Sequence, residues 1–255
     1  MKPYIGITGF KSLHEVKSIS RAADLLGLGN NKEYALMMGF LTSDNRLREL
    51  TKESHRSPAF ADLPELLSAV PDSMFPVIHH HTDHPEQLGD QLSTIFNVLY
   101  GENLCRAVQI NIDWPDTDIL KQTKERFPDL DIVLQLPQNA LNVPVDGLVS
   151  KASEYAGLVS YILIDPSAGA GINYDSSKAV NVLNRLNDAI PSTINGVAGG
   201  LCAKNVFDQT TDIVSGYANK FFIDAENKLR SDDWLSLDIG KCMHYLSEAK
   251  LALER

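Results

Sequence analysis

A chain of 255 residues, 44% hydrophobic and 22% charged, is long enough for one substantial core and matches the size of a single α/β barrel of about 250 residues. Acidic residues outnumber basic ones 33 to 23, and the net charge of -10 argues against a nucleic acid or an anionic lipid surface as partner. It leaves room for a small phosphorylated ligand, which backbone dipoles can hold against the net charge.

Cys105, Cys202 and Cys242 follow no disulfide or zinc-ribbon spacing, so a reducing, cytoplasmic setting is expected. The chain runs from Met1 straight into an apolar strand without a signal-peptide pattern, and no uncharged apolar stretch approaches membrane-spanning length. The sequence therefore predicts a soluble protein, monomer or homodimer, with no membrane and no nucleic-acid partner.

Strands are predicted at Tyr4–Thr8, Tyr34–Leu41, Pro76–His81, Ala107–Asp113, Asp131–Leu136, Ser160–Asp165, Thr193–Ala198 and Phe221–Ala225. Helical patterns fall between and after them, at Leu13–Leu26, Leu63–Val70, Glu86–Tyr100, Asp116–Phe127, Asp146–Gly157, Ser176–Ala189, Ala203–Ala218 and Trp234–Leu253. Alternation on this scale predicts one domain over residues 1–255: an α/β fold, a single (β/α)8 TIM barrel with eight parallel strands and an outer ring of helices. The longest irregular stretch is Thr42–Leu63, a length that favours a functional or mobile loop. Phe221, Phe222, Trp234 and Tyr245 are expected to be packing residues, and Asp232-Asp233 to cap the last helix.

Period-two alternation sorts the strand side chains into an outward apolar face and an inward polar one. In the fourth strand Val108, Ile110 and Ile112 oppose Gln109, Asn111 and Asp113. Gln109 and Gln135 lie low enough to be hydrogen-bonding partners in the core. Asp113 and Asp165 come at the rim of the sheet, where α/β barrels hold their ligands, and are candidate catalytic residues. The cluster His79-His80-His81 ends the third strand; His79 and His81 share a face, and His81 is a candidate for acid–base work. The same pair could serve a metal-dependent epimerase or aldolase, but no second histidine pair ends another strand, so neither metal nor cofactor is assigned. No lysine sits inside a predicted strand near its C-terminal end, which argues against a Schiff-base aldolase.

After Asp165 the chain reads Pro-Ser-Ala-Gly169-Ala-Gly171-Ile172-Asn-Tyr174-Asp175, and after the seventh strand it reads Gly199-Gly200-Leu201. Glycine turns at two successive rim positions bring backbone N–H groups close to a ligand and suit a phosphate or another anion. Arg48, in the long loop, is a candidate bidentate clamp for a carboxylate.

These segments resemble phosphoribosylanthranilate isomerase, the tryptophan-pathway barrel. In that family the sixth segment reads Leu-Leu-Asp and then Gly-Thr-Gly-Lys-Thr-Phe-Asp, against Leu163-Ile164-Asp165 and Gly169 to Asp175 here. Its Leu-Ala-Gly-Gly-Leu is similar to Val197-Ala198-Gly199-Gly200-Leu201, and its Gly-Phe-Val-Phe with a following arginine is similar to Gly39-Phe40-Leu41-Thr42 with Arg48. Its Val-Gln-Leu is similar to Val108-Gln109-Ile110. The resemblance implies an Amadori rearrangement in which Asp165 is the acid that opens the ribose ring, while a base on the first strand removes the C2 proton.

The family's base is a cysteine, and Thr8 stands in its place; the related histidine-pathway isomerase carries aspartate there. Glu226-Asn227-Lys228 replace the family's phosphate-gripping Ser-Ser-Gly, so that Lys228, or Arg230, would offset Glu226; Ile172 replaces the glycine-loop lysine. Two readings follow from these departures. One is an isomerase or lyase for a small phosphorylated or anionic metabolite, using Asp165 with Thr8, His79, His81 or Asp113, an anion seat at Gly169, Gly171, Gly199, Gly200 and Lys228, and Arg48 for a substrate carboxylate. The other is a barrel that binds such a ligand without turning it over.

Overall fold

The computed structural model describes residues 1–50, 52–167 and 174–254. Among them eight parallel strands close into one barrel in sequence order: β1 (Tyr4–Thr8), β2 (Ala35–Ser43), β3 (Phe75–His81), β4 (Ala107–Ile110), β5 (Asp131–Gln135), β6 (Tyr161–Ile164), β7 (Ile194–Ala198) and β8 (Phe222–Ala225). Pairing of β8 with β1 closes the ring. Around it lie α1 (Leu13–Leu25), α2 (Asp44–Arg48), α3 (Leu63–Ser68), α4 (Leu88–Leu99), α5 (Thr117–Arg126), α6 (Val145–Ser153), α7 (Ser176–Ala189), α8 (Val206–Gly216) and α9 (Ile239–Leu253). The expected TIM barrel is the observed fold. Among the described residues no helix is long and apolar enough to cross a membrane.

Local chemistry sets the helix starts. Ser12 and Glu15 form a reciprocal capping box at α1, and the side chains of Asp116, Asp175 and Asp238 accept backbone N–H groups at α5, α7 and α9. The outward strand residues, such as Ile5, Ile7, Phe40, Ile110, Leu134 and Ile164, pack with the helices in the main hydrophobic cluster. The inward residues form a second, separate cluster built from Tyr4, Met37, Val77, Val133, Leu163 and Phe222.

Four aromatic rings occupy the N-terminal end of the barrel lumen. Tyr4 and Phe222 have ring centroids 4.2 Å apart, and Tyr161 stands edge-on to Phe222 at 5.6 Å. Phe75 completes the group, 5.8 Å from both Tyr4 and Tyr161. Offset and edge-on contacts of this kind add to the burial of the rings themselves. The inward positions change character toward the C-terminal ends of the strands, where Thr8, His79, Gln109 and Asp224 are all buried.

Several predicted elements have other bounds, and those of β4, β2 and α9 bear on the site or the surface. Strand β4 stops at Ile110 rather than Asp113: the Asn111 N–H still donates to the His80 carbonyl at 2.9 Å, but the chain then bends and Trp114 takes a φ of 48°. Strand β2 runs on to Ser43, whose hydroxyl accepts from the Arg46 N–H at α2, so the long connection opens with structure. Helix α9 starts at Ile239, not Trp234. Residues 231–236 are a turn in which Asp233 accepts from the Leu235 N–H at 3.0 Å and the Ser231 N–H donates to the Ser236 carbonyl. Trp234 at its tip has a φ of 64° and is 47% exposed, so it is not the packing residue expected; Phe221, Phe222 and Tyr245 are buried.

Candidate active site

A cavity of about 590 Å³ opens at the C-terminal end of the barrel. Thr8, His79, Gln109 and Asp224 line its deep part, and Asp165, Gly199, Gly200 and Lys228 line its wall and mouth. Side chains from β1, β3, β4 and β8 thus converge with residues that directly follow β6, β7 and β8.

Thr8 sits at the centre of the floor. Its Oγ1 lies 3.0 and 3.1 Å from the two carboxyl oxygens of Asp224, and 3.4 Å from His79 Nε2. Two missing side chains make this approach possible. A Cβ on Gly6, the register partner of Asp224, would come within 2.6 Å of Asp224 Oδ1. A Cβ on Gly39, the partner of Thr8, would come within 2.4 Å of Thr8 Oγ1 and 2.8 Å of His79 Nε2. Both distances are shorter than real Cβ contacts, so any larger residue would push the polar groups apart.

Burial decides the charge on the floor. Asp224 is pushed up to about 8, chiefly by desolvation; the Thr8 hydrogen bond opposes the shift, and the neighbouring Glu226 and Asp165 carboxylates add to it. Desolvation holds His79 down at about 3, so its ring is neutral. At neutral pH the floor is therefore an uncharged string, with a carboxyl proton kept next to a hydroxyl and an imidazole.

Asp165 follows β6 directly. Its Oδ1 accepts from the Ser167 N–H at 3.0 Å and from the Ser167 hydroxyl at 2.7 Å, which orients the carboxylate at the cavity wall. Gly199 and Gly200 have φ values of 119° and 60°, a left-handed pair that glycine adopts without strain. Asn205 ties down the turn, donating to the Gly200 carbonyl at 2.9 Å and accepting from the Cys202 N–H at 2.8 Å. Gly169, Gly171 and Ile172 lie outside the described residues.

The remaining candidates separate. Asp113 and His81 line the cavity mouth and are exposed, with His81 Nδ1 2.9 Å from the Asn111 carbonyl and Nε2 3.3 Å from Asp83. His80 points the other way, to Gln91 on α4 at 2.9 Å. Among the described residues no group of three or more His, Cys, Asp or Glu side chains could hold a metal ion. Gln109 donates to Asn111 at 2.9 Å and to Gln135 at 3.3 Å, as core partners would. Arg48 is not among the lining residues; it pairs with buried Asp44 at 2.8 Å.

Two charged lining residues, Arg56 and Asp224, had no role in the sequence reading. Arg56 bonds Glu226 through Nε at 3.1 Å and Nη2 at 2.6 Å, both to Oε1. Arg230, fully buried, reaches the same Oε1 at 3.1 Å from behind, and its Nη2 also donates to the Arg56 carbonyl. Glu226 is therefore held between two guanidinium groups. Asp224 is the other, and its signal was present: it continues the inward phase of Phe222.

No family model matches the sequence, and no curated protein matches it. Solved structures do. Phosphoribosyl anthranilate isomerase from Thermotoga maritima superposes with a TM-score of 0.65 at 17% identity, covering 97% of this chain and 98% of that one. A phosphoribosyl anthranilate isomerase in complex with reduced 1-(o-carboxyphenylamino)-1-deoxyribulose 5-phosphate gives 0.64 at 16% identity, covering 97% and 98%. The YdjI aldolase from Escherichia coli K12 is more distant, at 0.51 and 13% identity, covering 99% and 89%. At such identities the likeness is one of fold: the chain has a (β/α)8 barrel similar to that of phosphoribosyl anthranilate isomerase.

Proposed function

We propose that the protein is a divergent phosphoribosylanthranilate isomerase-like enzyme, an isomerase or lyase that moves protons on a small phosphorylated or anionic metabolite at the C-terminal face of the barrel. The observation that carries this reading is that Asp165 and the Gly199-Gly200 turn open into one cavity of about 590 Å³, a size suited to such a metabolite. Asp165 is the acid–base group. The Gly199-Gly200 turn and Lys228 seat the anion, together with Gly169 and Gly171. His81 and Asp113 stand at the mouth, where they would contact the outer part of the ligand. For a substrate carboxylate Arg56 is better placed than Arg48, since it lines the cavity. The protein acts as a monomer or homodimer in the cytoplasm, without nucleic acid or membrane.

A second reading, a barrel that binds the ligand without turnover, draws support from Thr8. A hydroxyl stays protonated near neutral pH and is a poor base on its own. Incubation of the purified protein with phosphoribosylanthranilate and a panel of pentose and hexose phosphates, followed by phosphorus NMR, separates the two. Isomer formation that Asp165→Asn lowers by about 100-fold or more is expected. Equal turnover by Asp165→Asn would overturn the role of that carboxylate, and a ligand-induced rise in melting temperature without turnover would favour the binding barrel.

A further inference from the structure

Building on that reading, we infer that Asp224 is the proton-exchanging partner of Asp165, a second catalytic carboxyl on the cavity floor, with Thr8 as its positioning residue. The geometry assigns it this role. Asp224 points inward from β8 and lines the cavity. Gly6 clears the space that its Oδ1 occupies, and Thr8 Oγ1 reaches both of its oxygens at 3.0 and 3.1 Å. A buried carboxyl that stays ionised needs a cation beside it, and one without a cation keeps its proton. Among the described residues no ion pair involves Asp224, and the two nearby arginines both serve Glu226.

The titratable and charged groups that act on Asp224 are Tyr4 on β1, Asp165 after β6, Glu226 after β8 and Tyr245 on α9, while His79 on β3 meets the same Thr8 hydroxyl. Burial and the two carboxylates among them favour the protonated form, and none supplies a positive charge; Arg56 and Arg230 act one step away, through Glu226. Asp165 and Asp224 are thus two carboxyl groups of one cavity whose surroundings differ, the arrangement that separates an acid from a base.

The step balances without a cofactor. On the open-chain form of an aldose phosphate, or of its imine with an amine, the Asp224 O–H gives its proton to the C1 oxygen or nitrogen as the Asp165 carboxylate removes the C2 proton. The C2–H electron pair becomes the C1–C2 double bond, and the π pair of the C1 double bond takes up the Asp224 proton. In the return step Asp165 delivers its proton to C1. The Asp224 carboxylate then recovers one from the C2 hydroxyl as the C2 carbonyl forms, and both groups end as they began.

Proton NMR of the full chain in deuterium oxide, with ribose 5-phosphate and phosphoribosylanthranilate as probes, reads this directly as loss of the C2 hydrogen signal. Wild type is expected to exchange C2 and to slow as pH rises through about 8, where Asp224 loses its proton. Asp224→Asn should cut exchange by about 100-fold or more without a lower melting temperature, and Asp224→Glu should restore part of it. Thr8→Val removes the hydrogen bond that lowers the Asp224 pKa, so its alkaline limb should move to higher pH, a shift that a purely structural threonine would not cause. Exchange by Asp224→Asn within threefold of wild type, with Asp165→Asn inert, would overturn the role of Asp224 and leave the enzyme intact. Absence of exchange by wild type on both probes at every pH would overturn both.

Discussion

Replacing Asp224 by asparagine should stabilise the fold, and by an amount that grows with pH. The carboxyl titrates at about 8 when folded, against about 3.9 in an unfolded chain. Between those values the folded state holds a proton that the unfolded state has released, so folding grows less favourable as pH rises. The contribution is complete below the unfolded value and gone above the folded one. Each pH unit in the window is worth about 1.4 kcal/mol, which sets a ceiling of about 4 kcal/mol at pH 7 and between 5 and 6 kcal/mol by pH 8. Asparagine keeps the shape and an oxygen for Thr8 but carries no proton to lose. Urea unfolding of wild type and Asp224→Asn at pH 5, 6, 7, 8 and 9 isolates the effect, because the other titrating groups cancel in the difference. The variant should gain on wild type steadily up to pH 8 and level off above it. A difference that does not change with pH would refute the argument that burial holds the proton on Asp224.

His79 carries the opposite sign. Its ring is held at about 3 when folded against about 6.5 unfolded, so wild type should lose stability as pH falls below about 6.5. His79→Gln should escape that loss by about 1.4 kcal/mol per pH unit in acid-unfolding curves. Glu226→Gln removes the carboxylate between Arg56 and Arg230 and leaves the fully buried Arg230 charge without its partner. A cost of about 3 to 5 kcal/mol is expected in denaturant melts, and the double variant Glu226→Gln with Arg230→Met should recover part of it.

The barrel was legible because its signal is local and repeated. Each strand carries its own alternation, and Gln109 against Val108 and Ile110 already states which side is inward. Asp165 was legible for a similar reason, as the acid that ends an apolar run. The floor was only half legible. Asp224 follows the phase of Phe222, but its importance depends on two glycines in other strands, Gly6 and Gly39, that let Thr8, His79 and Asp224 meet. Arg56 was out of reach altogether: it lies in a connection without periodicity, and its direction is set by Glu226, 170 residues away. Arg48 has matching sequence spacing but is bound by Asp44, four residues earlier. At the C-terminal end, Trp234 and Leu235 imitate a helical face, and the side-chain bonds of Ser231 and Asp233 make a turn instead.

The four rings at the base of the lumen have a consequence for traffic. Tyr4, Phe75, Tyr161 and Phe222 stopper the barrel from below, so among the described residues a ligand has one doorway, at the C-terminal face, and must leave by the way it came. Entry and exit then exclude each other. A product still inside bars the next substrate, and product inhibition should be competitive, without a complex that holds both. A proton displaced on the floor likewise has no rear outlet, and it stays with the side chains and the ligand until the mouth is open to water.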